Sequence, residues 1–245
     1  MRRAVRITLV LIGLVLATRT SHAGAGGLNL SWDDCGPYGS TTKTFACNTN
    51  AGSNAIVCSA IPPVAMPQFV AMAATIMFTA DNVTLPPWWT FDGCRGGFLP
   101  NPLSLDLNFV GGPFNCLDPW AGQASGGLNY TSGYSTPNNA RFRMVCSVAA
   151  PSPLDGISEN YFFRVVISNV KTTGAGSCAG CSIPMCIVLN QVELDQPAGI
   201  GDYVVTNPLN SQFVVWQSAP LHTGGCPPGT PTRNTTWGSI KGMYR

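Results

Sequence analysis

Short runs rich in Val, Ile, Phe and Thr recur along the chain, separated by clusters of Gly, Pro, Asn and Asp. Runs of this length between turn-formers predict strands, at 28–32, 44–47, 55–60, 70–79, 104–109, 141–148, 161–170, 186–194, 203–206 and 212–217. In 141–148, Phe142, Met144, Cys146 and Val148 share one parity, while Arg141, Arg143 and Ser147 fall on the other. That alternation is the mark of a strand with one buried face. In 161–170, Phe163, Val165 and Ile167 oppose Phe162, Arg164, Val166 and Ser168, so the start is apolar on both sides and predicts a central strand. Helical periodicity is nearly absent. The stretch 64–78 carries helix formers (Ala65, Ala71, Ala73, Ala74 and three Met), but Pro62, Pro63 and Pro67 restrict a helix there. Thr75, Ile76 and Phe78 tip it to a strand.

The pattern predicts an all-β fold: one β-sandwich, Ig-like or jelly-roll-like, over 24–226, with long loops around 93–140. The two ends read differently. Arg2, Arg3 and Arg6 precede an 11-residue apolar run, 7–17, followed by Ser21 and Ala23. The run is too short to span a bilayer, which takes about 20 residues. A basic start, a short apolar stretch and small residues predict a secretory signal peptide over 1–23, cleaved near Ala23. No transmembrane segment is expected in the mature chain. Beyond Cys226, Pro227, Pro228 and Pro231 make an extended spacer in the 227–245 tail. Thr235 or Thr236 can then cap a short C-terminal helix bearing Trp237, Ile240 and Tyr244.

Ten cysteines, all beyond residue 23, change the picture. An even count in an exported chain predicts a disulfide-stapled body. Cys35 and Cys47 bracket a Gly-Pro-Tyr-Gly turn and suit a local bridge. Cys58 and Cys146 lie in apolar runs and suit a link across the core. Cys94–Cys116 is the next expectation, with Cys178, Cys181, Cys186 and Cys226 paired among themselves. The dense Cys178, Cys181, Cys186 cluster also admits a metal or redox reading.

Charge adds little. Loss of residues 1–23 leaves nine of the thirteen Lys and Arg against eleven Asp and Glu. A chain so weakly charged gives no electrostatic case for nucleic acid. His222 is the one histidine left, and no Gly-x-Ser-x-Gly signature accompanies it, so a nucleophilic triad is not expected. A carboxylate pair drawn from Asp92, Asp106, Asp118, Glu159 and Glu193 would make a polysaccharide hydrolase the alternative reading. Asp33, Asp34, Asp92, Asp118 and Asp202 are loop acids of the oxygen type that calcium prefers, and they make calcium the one cofactor candidate.

Aromatic residues are the leading binding candidates. Trp88 and Trp89 are adjacent, so in an extended segment one faces the core and the other is free to stack on a sugar ring or a partner. Trp120, Tyr130 and Tyr134 belong to a Gly/Ser/Asn-rich loop of the same character.

Several phrases together carry a resemblance. Leu28-Asn-Leu-Ser-Trp-Asp-Asp-Cys-Gly36, Phe45-Ala-Cys-Asn-Thr-Asn50, Trp88-Trp89 ahead of Cys94-Arg95, and Gly176-Ser-Cys-Ala-Gly-Cys181 ahead of Cys186-Ile-Val-Leu-Asn190 are four of them. With the ending Pro231-Thr-Arg-Asn-Thr-Thr-Trp-Gly-Ser-Ile-Lys-Gly-Met-Tyr-Arg245, they resemble a group of uncharacterised exported bacterial proteins. The resemblance implies export and a β-rich fold, and it assigns no activity. The expectation is a secreted or cell-envelope protein, non-enzymatic, with an adhesive, structural or ligand-binding role toward a glycan or another envelope protein.

Overall fold

The structure, a computed structural model, describes residues 26–97, 99, 101–112, 114–217 and 226. The expected signal peptide, the C-terminal helix and His222 lie outside them.

Among the described residues eleven strands form two sheets. They are β1 (Gly27–Trp32), β2 (Thr42–Lys43), β3 (Ser53–Ile61), β4 (Met66–Ala80), β5 (Leu103–Asp106), β6 (Ser125–Ser132), β7 (Asn139–Leu154), β8 (Asn160–Ser168), β9 (Met185–Asp195), β10 (Tyr203–Val205) and β11 (Phe213–Trp216). The smaller sheet runs β1-β3-β8-β5. The larger runs β2-β11-β9-β4-β7-β6, and β10 pairs with β9 beside this path. The fold is a β-sandwich, as the alternation predicts.

Parity explains the core. From the larger sheet, Met72, Ala74, Ile76 and Phe78 of β4, Phe142 and Met144 of β7, and Ile187, Leu189, Val192 and Leu194 of β9 point inward and are buried. They meet Leu30, Trp32, Ile56, Phe163, Val165 and Ile167 from the smaller sheet. Phe142 stacks on Phe163 with centroids 6.4 Å apart, which joins β7 to β8 across the interior. The stretch 64–78 is strand throughout its second half, so its Ala and Met side chains alternate rather than form a helix face. In β8 the register shifts opposite Cys58/Ser59, and the extra residue is Phe162. Such a bulge lets neighbouring side chains depart from strict alternation. Phe162 packs on Phe69 of β4 at 5.8 Å while Phe163 reaches β7.

The outer face of β1 is polar yet sealed. Glu159 accepts hydrogen bonds from Asn29 Nδ2 and Ser59 Oγ, each at 2.6 Å. Gly36, with φ of 45°, lies directly over it, and a Cβ there would come within 2.4 Å of the Glu159 carboxylate. That close approach is why the turn after β1 carries glycine.

Four disulfides link Cys35–Cys116, Cys47–Cys181, Cys94–Cys178 and Cys186–Cys226, while Cys58 and Cys146 are buried free thiols. The chain is disulfide-stapled, and most of the expected pairings are corrected. Cys35 does not bond Cys47, because it turns toward the 107–118 segment that covers the outer face of the smaller sheet. Cys47 follows β2, which runs parallel to β11, and is thereby carried to the 171–184 loop. Cys94 joins that same loop rather than Cys116. Within the late cluster only Cys186–Cys226 pairs internally. Cys58 and Cys146 occupy opposed sheets of one core, as expected, but stay unbonded. Facing sheets stand about 10 Å apart, whereas a bridge requires Cα atoms within about 7 Å. They serve as small apolar core residues.

A second small cluster, Cys186, Val188, Val215 and Cys226 with Phe213 against it, lies on the outward face of the larger sheet. Among the described residues no helix is long and apolar enough to cross a membrane.

Candidate functional site

The aromatic residues are placed otherwise than expected. Pro87–Trp89 is a single 3-10 turn with proline at its start, not an extended segment. Successive side chains on such a turn are not opposed, and Trp88 and Trp89 are both fully buried. Trp88 stacks on Trp216 at 5.5 Å, and Trp89 meets Trp216 edge-on at 5.6 Å. Trp88 Nε1 donates to Thr172 Oγ1 at 2.9 Å, and Trp216 Nε1 donates to the Cys181 carbonyl at 2.6 Å. These tryptophans plug one end of the sandwich, and the 171–184 loop roofs them, pinned by two disulfides. Trp120 is buried on Phe69 and donates to the Phe162 carbonyl at 2.7 Å. Tyr130 points inward, its hydroxyl donating to the Trp89 carbonyl at 2.5 Å. Burial, then Asp92, pushes its pKa up. Of the five aromatic candidates, Tyr134 alone is exposed.

Arg95 completes the plug, with no exposure to solvent. Its guanidinium lies 4.0 Å from the Trp88 ring centroid and 5.0 Å from that of Phe91. It donates to the Trp88 carbonyl at 3.2 Å and to the Ser168 carbonyl. Burial pushes its pKa down to about 9. The group is a charged clamp between the 3-10 turn and the end of β8.

The acids are spread over the molecule. Asp33 pairs with Lys43 at 2.5 Å. Asp34 accepts from the Cys35 and Asn115 amides at 2.7 and 2.8 Å. Asp92 accepts from the Ser132 amide, Asp118 from the Trp120 amide and Asp202 from the Gln196 amide, at 2.8–2.9 Å. Asp33 is taken up in an ion pair and the other four calcium candidates accept from backbone amides, an ordinary use of a short acid, and no three metal-ligating side chains converge among the described residues. Of the hydrolase candidates, Asp106 pairs with Arg164 on the outer face of the smaller sheet. Glu193 lies on the outer face of the larger one, and Glu159 sits under Gly36. Cys178, Cys181 and Cys186 are all consumed in disulfides, so the thiolate set of the metal or redox reading is not there.

A feature absent from the expected sites stands on the outer face of β6 and β7. Gly127, Asn129 and Thr131 pair with Val145, Arg143 and Arg141, and these six side-chain positions point outward together. They frame a shallow depression of about 370 Å³ lined by Gly127, Leu128, Asn129, Arg141, Arg143 and Val145 among others. Nothing lies within 4 Å of the position a Cβ would take on Gly127, so the glycine opens the floor. Arg141 holds its guanidinium carbon 3.9 Å above the Tyr134 ring centroid. Arg143 is exposed, and neither arginine has a carboxylate partner among the described residues. Arg141 Nε and Asn139 Oδ1, both outward on β7, are buried without hydrogen-bond partners. Val145 adds an apolar wall, 59% exposed. The parity of Arg141 and Arg143 is legible in the sequence. Their partner strand β6 is not among the predicted elements, although Leu128 and Tyr130 alternate with Asn129 and Thr131 between Gly127 and Gly133.

No family model matches this chain, and no curated protein matches it. Among solved structures it is similar to a cohesin module from a Clostridium perfringens family 33 glycoside hydrolase, with 9% identity and a TM-score of 0.34. That match covers 78% of this chain and 96% of the module.

Proposed function

We propose that this protein is exported with loss of residues 1–23 and acts in the cell envelope or outside the cell as a non-catalytic binding protein. Its ligand face in this reading is the outward surface of β6 and β7. The observation that carries the proposal is the depression over Gly127. It combines two arginines lacking carboxylate partners, an exposed aromatic and an apolar wall, all mounted on a regular antiparallel ladder. Sites built on strands hold their geometry better than sites on loops. The buried tryptophans support the same division of labour: they fix one end of the body and leave recognition to the open sheet. Export is supported by the basic and apolar start and by four disulfides, which persist in oxidising compartments.

The test is retention of purified 24–245 protein on immobilised envelope material and polysaccharides, with a parallel assay for release of reducing ends. Retention without turnover, lost when Val145→Asp and Gly127→Trp fill and charge the depression, is the expected result. Turnover of a polysaccharide, or retention unchanged in both variants, overturns the reading.

A further inference from the structure

We infer that the β6–β7 depression takes a carboxylate-bearing saccharide, a uronic-acid type of oligosaccharide, with the carboxylate between Arg141 and Arg143. The inference rests on the binding reading above and names its ligand class.

The two arginines are two residues apart on one strand face, which separates their backbones by about 7 Å. Planar guanidinium forks suit carboxylates through paired N–H donors. Arg141 already rests over the Tyr134 ring, its guanidinium carbon 3.9 Å from the centroid, so less side-chain freedom is lost when it engages an anion. Across the ladder, Asn129 stands opposite Arg143 and Thr131 opposite Arg141, which places amide and hydroxyl groups beside the charged pair. A sugar acid suits this set, because its carboxylate only accepts, from the guanidinium N–H groups, while its hydroxyls donate to and accept from the Asn129 amide and the Thr131 hydroxyl. An acidic peptide carries its carboxylates on flexible side chains and lacks the ring hydroxyls that would meet Asn129 and Thr131. The volume, about 370 Å³, is at the small end of small-molecule sites and admits a short oligosaccharide segment. The carboxylates of the same face, Glu193 and Asp195, lie on β9, beyond the β4 positions Ala73 and Ala71. They leave the arginine end cationic and turn an extended polyanion along β6 and β7.

The experiment titrates the protein with oligogalacturonate of four to six residues, its methyl ester, a neutral oligosaccharide of equal length, and poly-glutamate. Oligogalacturonate is expected to bind at low salt and weaken steeply as salt rises. Arg143→Ala should weaken it at least tenfold. Arg143→Lys, which keeps charge and loses the fork, should fall between. Arg143 is exposed, so unchanged thermal unfolding of both variants separates lost binding from lost folding. Equal binding of the methyl ester or the neutral sugar overturns the uronate inference while leaving the binding face intact. Preference for poly-glutamate overturns it in favour of an acidic polypeptide. Absence of uronate binding also overturns it, and the envelope-retention assay then decides separately whether the binding face stands.

Discussion

Removing the Cys94–Cys178 bridge by Cys94→Ser with Cys178→Ser probes how the tryptophan plug is held. The bridge spans 84 residues, but Cys47–Cys181 ends three residues away. In the unfolded chain the shortest circuit that Cys94–Cys178 closes runs from 94 to 116, across the Cys35–Cys116 bridge, from 35 to 47, across the Cys47–Cys181 bridge, and from 181 to 178. That circuit holds about 40 residues, and the chain-entropy relation then gives about 4 kcal/mol at 25 °C. Cys178 is buried, so the variant also leaves a serine hydroxyl without solvent, which adds to the loss. Five tryptophans among the described residues are fully buried, so denaturant unfolding followed by intrinsic fluorescence reports on the body of the fold. The midpoint should fall by the equivalent of about 4 kcal/mol, with a slightly larger denaturant slope because the unfolded chain expands. A loss under about 1 kcal/mol would refute the reasoning, since it would mean that the cross-link restrains little in the unfolded ensemble.

Further outcomes follow from the same structure. Native protein should show no reactive thiol, and two should titrate in denaturant, because burial pushes Cys58 up and Cys146 up to about 12. Ten, four or zero thiols in the denatured, non-reduced protein would contradict the pairing. Arg95→Ala should destabilise by about 3 kcal/mol through a cavity and two carbonyls left without their charged donor, measured by thermal or denaturant unfolding. Asp195 is held up to about 6 by burial, then by Glu193 and Asp202. Its folded value exceeds the ordinary 3.8, so its contribution to stability is full below pH 4 and is lost as pH rises through 6. Asp195→Asn should flatten that part of the stability profile, and an unchanged slope between pH 4 and 6 would rule the assignment out. Trp120→Ala should cost about 4 kcal/mol, since it empties the space against Phe69 and frees the Phe162 carbonyl.

The sandwich was readable in the sequence because its long strands alternate strongly, as in Phe142, Met144 and Cys146 against Arg141, Arg143 and Val145. Strand β6 was not, because Ser125-Gly-Gly-Leu-Asn-Tyr-Thr-Ser132 has few β-branched residues and its glycines read as loop. Only pairing with β7 makes it a strand, and that is tertiary information. The exposure of Trp88 and Trp89 was misread for a local reason: proline at the first position nucleates a 3-10 turn where an extended chain was expected. Disulfide partners were illegible for a non-local one. Cys47, Cys94, Cys178 and Cys181 meet because three distant segments converge over one end of the sandwich, and spacing along the chain does not encode that convergence. The candidate face was half legible: the arginines' shared side was visible, and the strand that turns them into a walled depression was not.

The order in which the cysteines occur has a consequence for biogenesis. Under the proposed export, a chain threading N-terminus first through a translocation pore delivers Cys35, Cys47 and Cys94 to the oxidising side before any of their native partners, with the unpaired Cys58 among them. Of the four bridges, only Cys186–Cys226 joins thiols that are neighbours in that order. An oxidase acting on emerging thiols pair by pair would therefore install wrong links first, so maturation should depend on an isomerase that shuffles them afterwards.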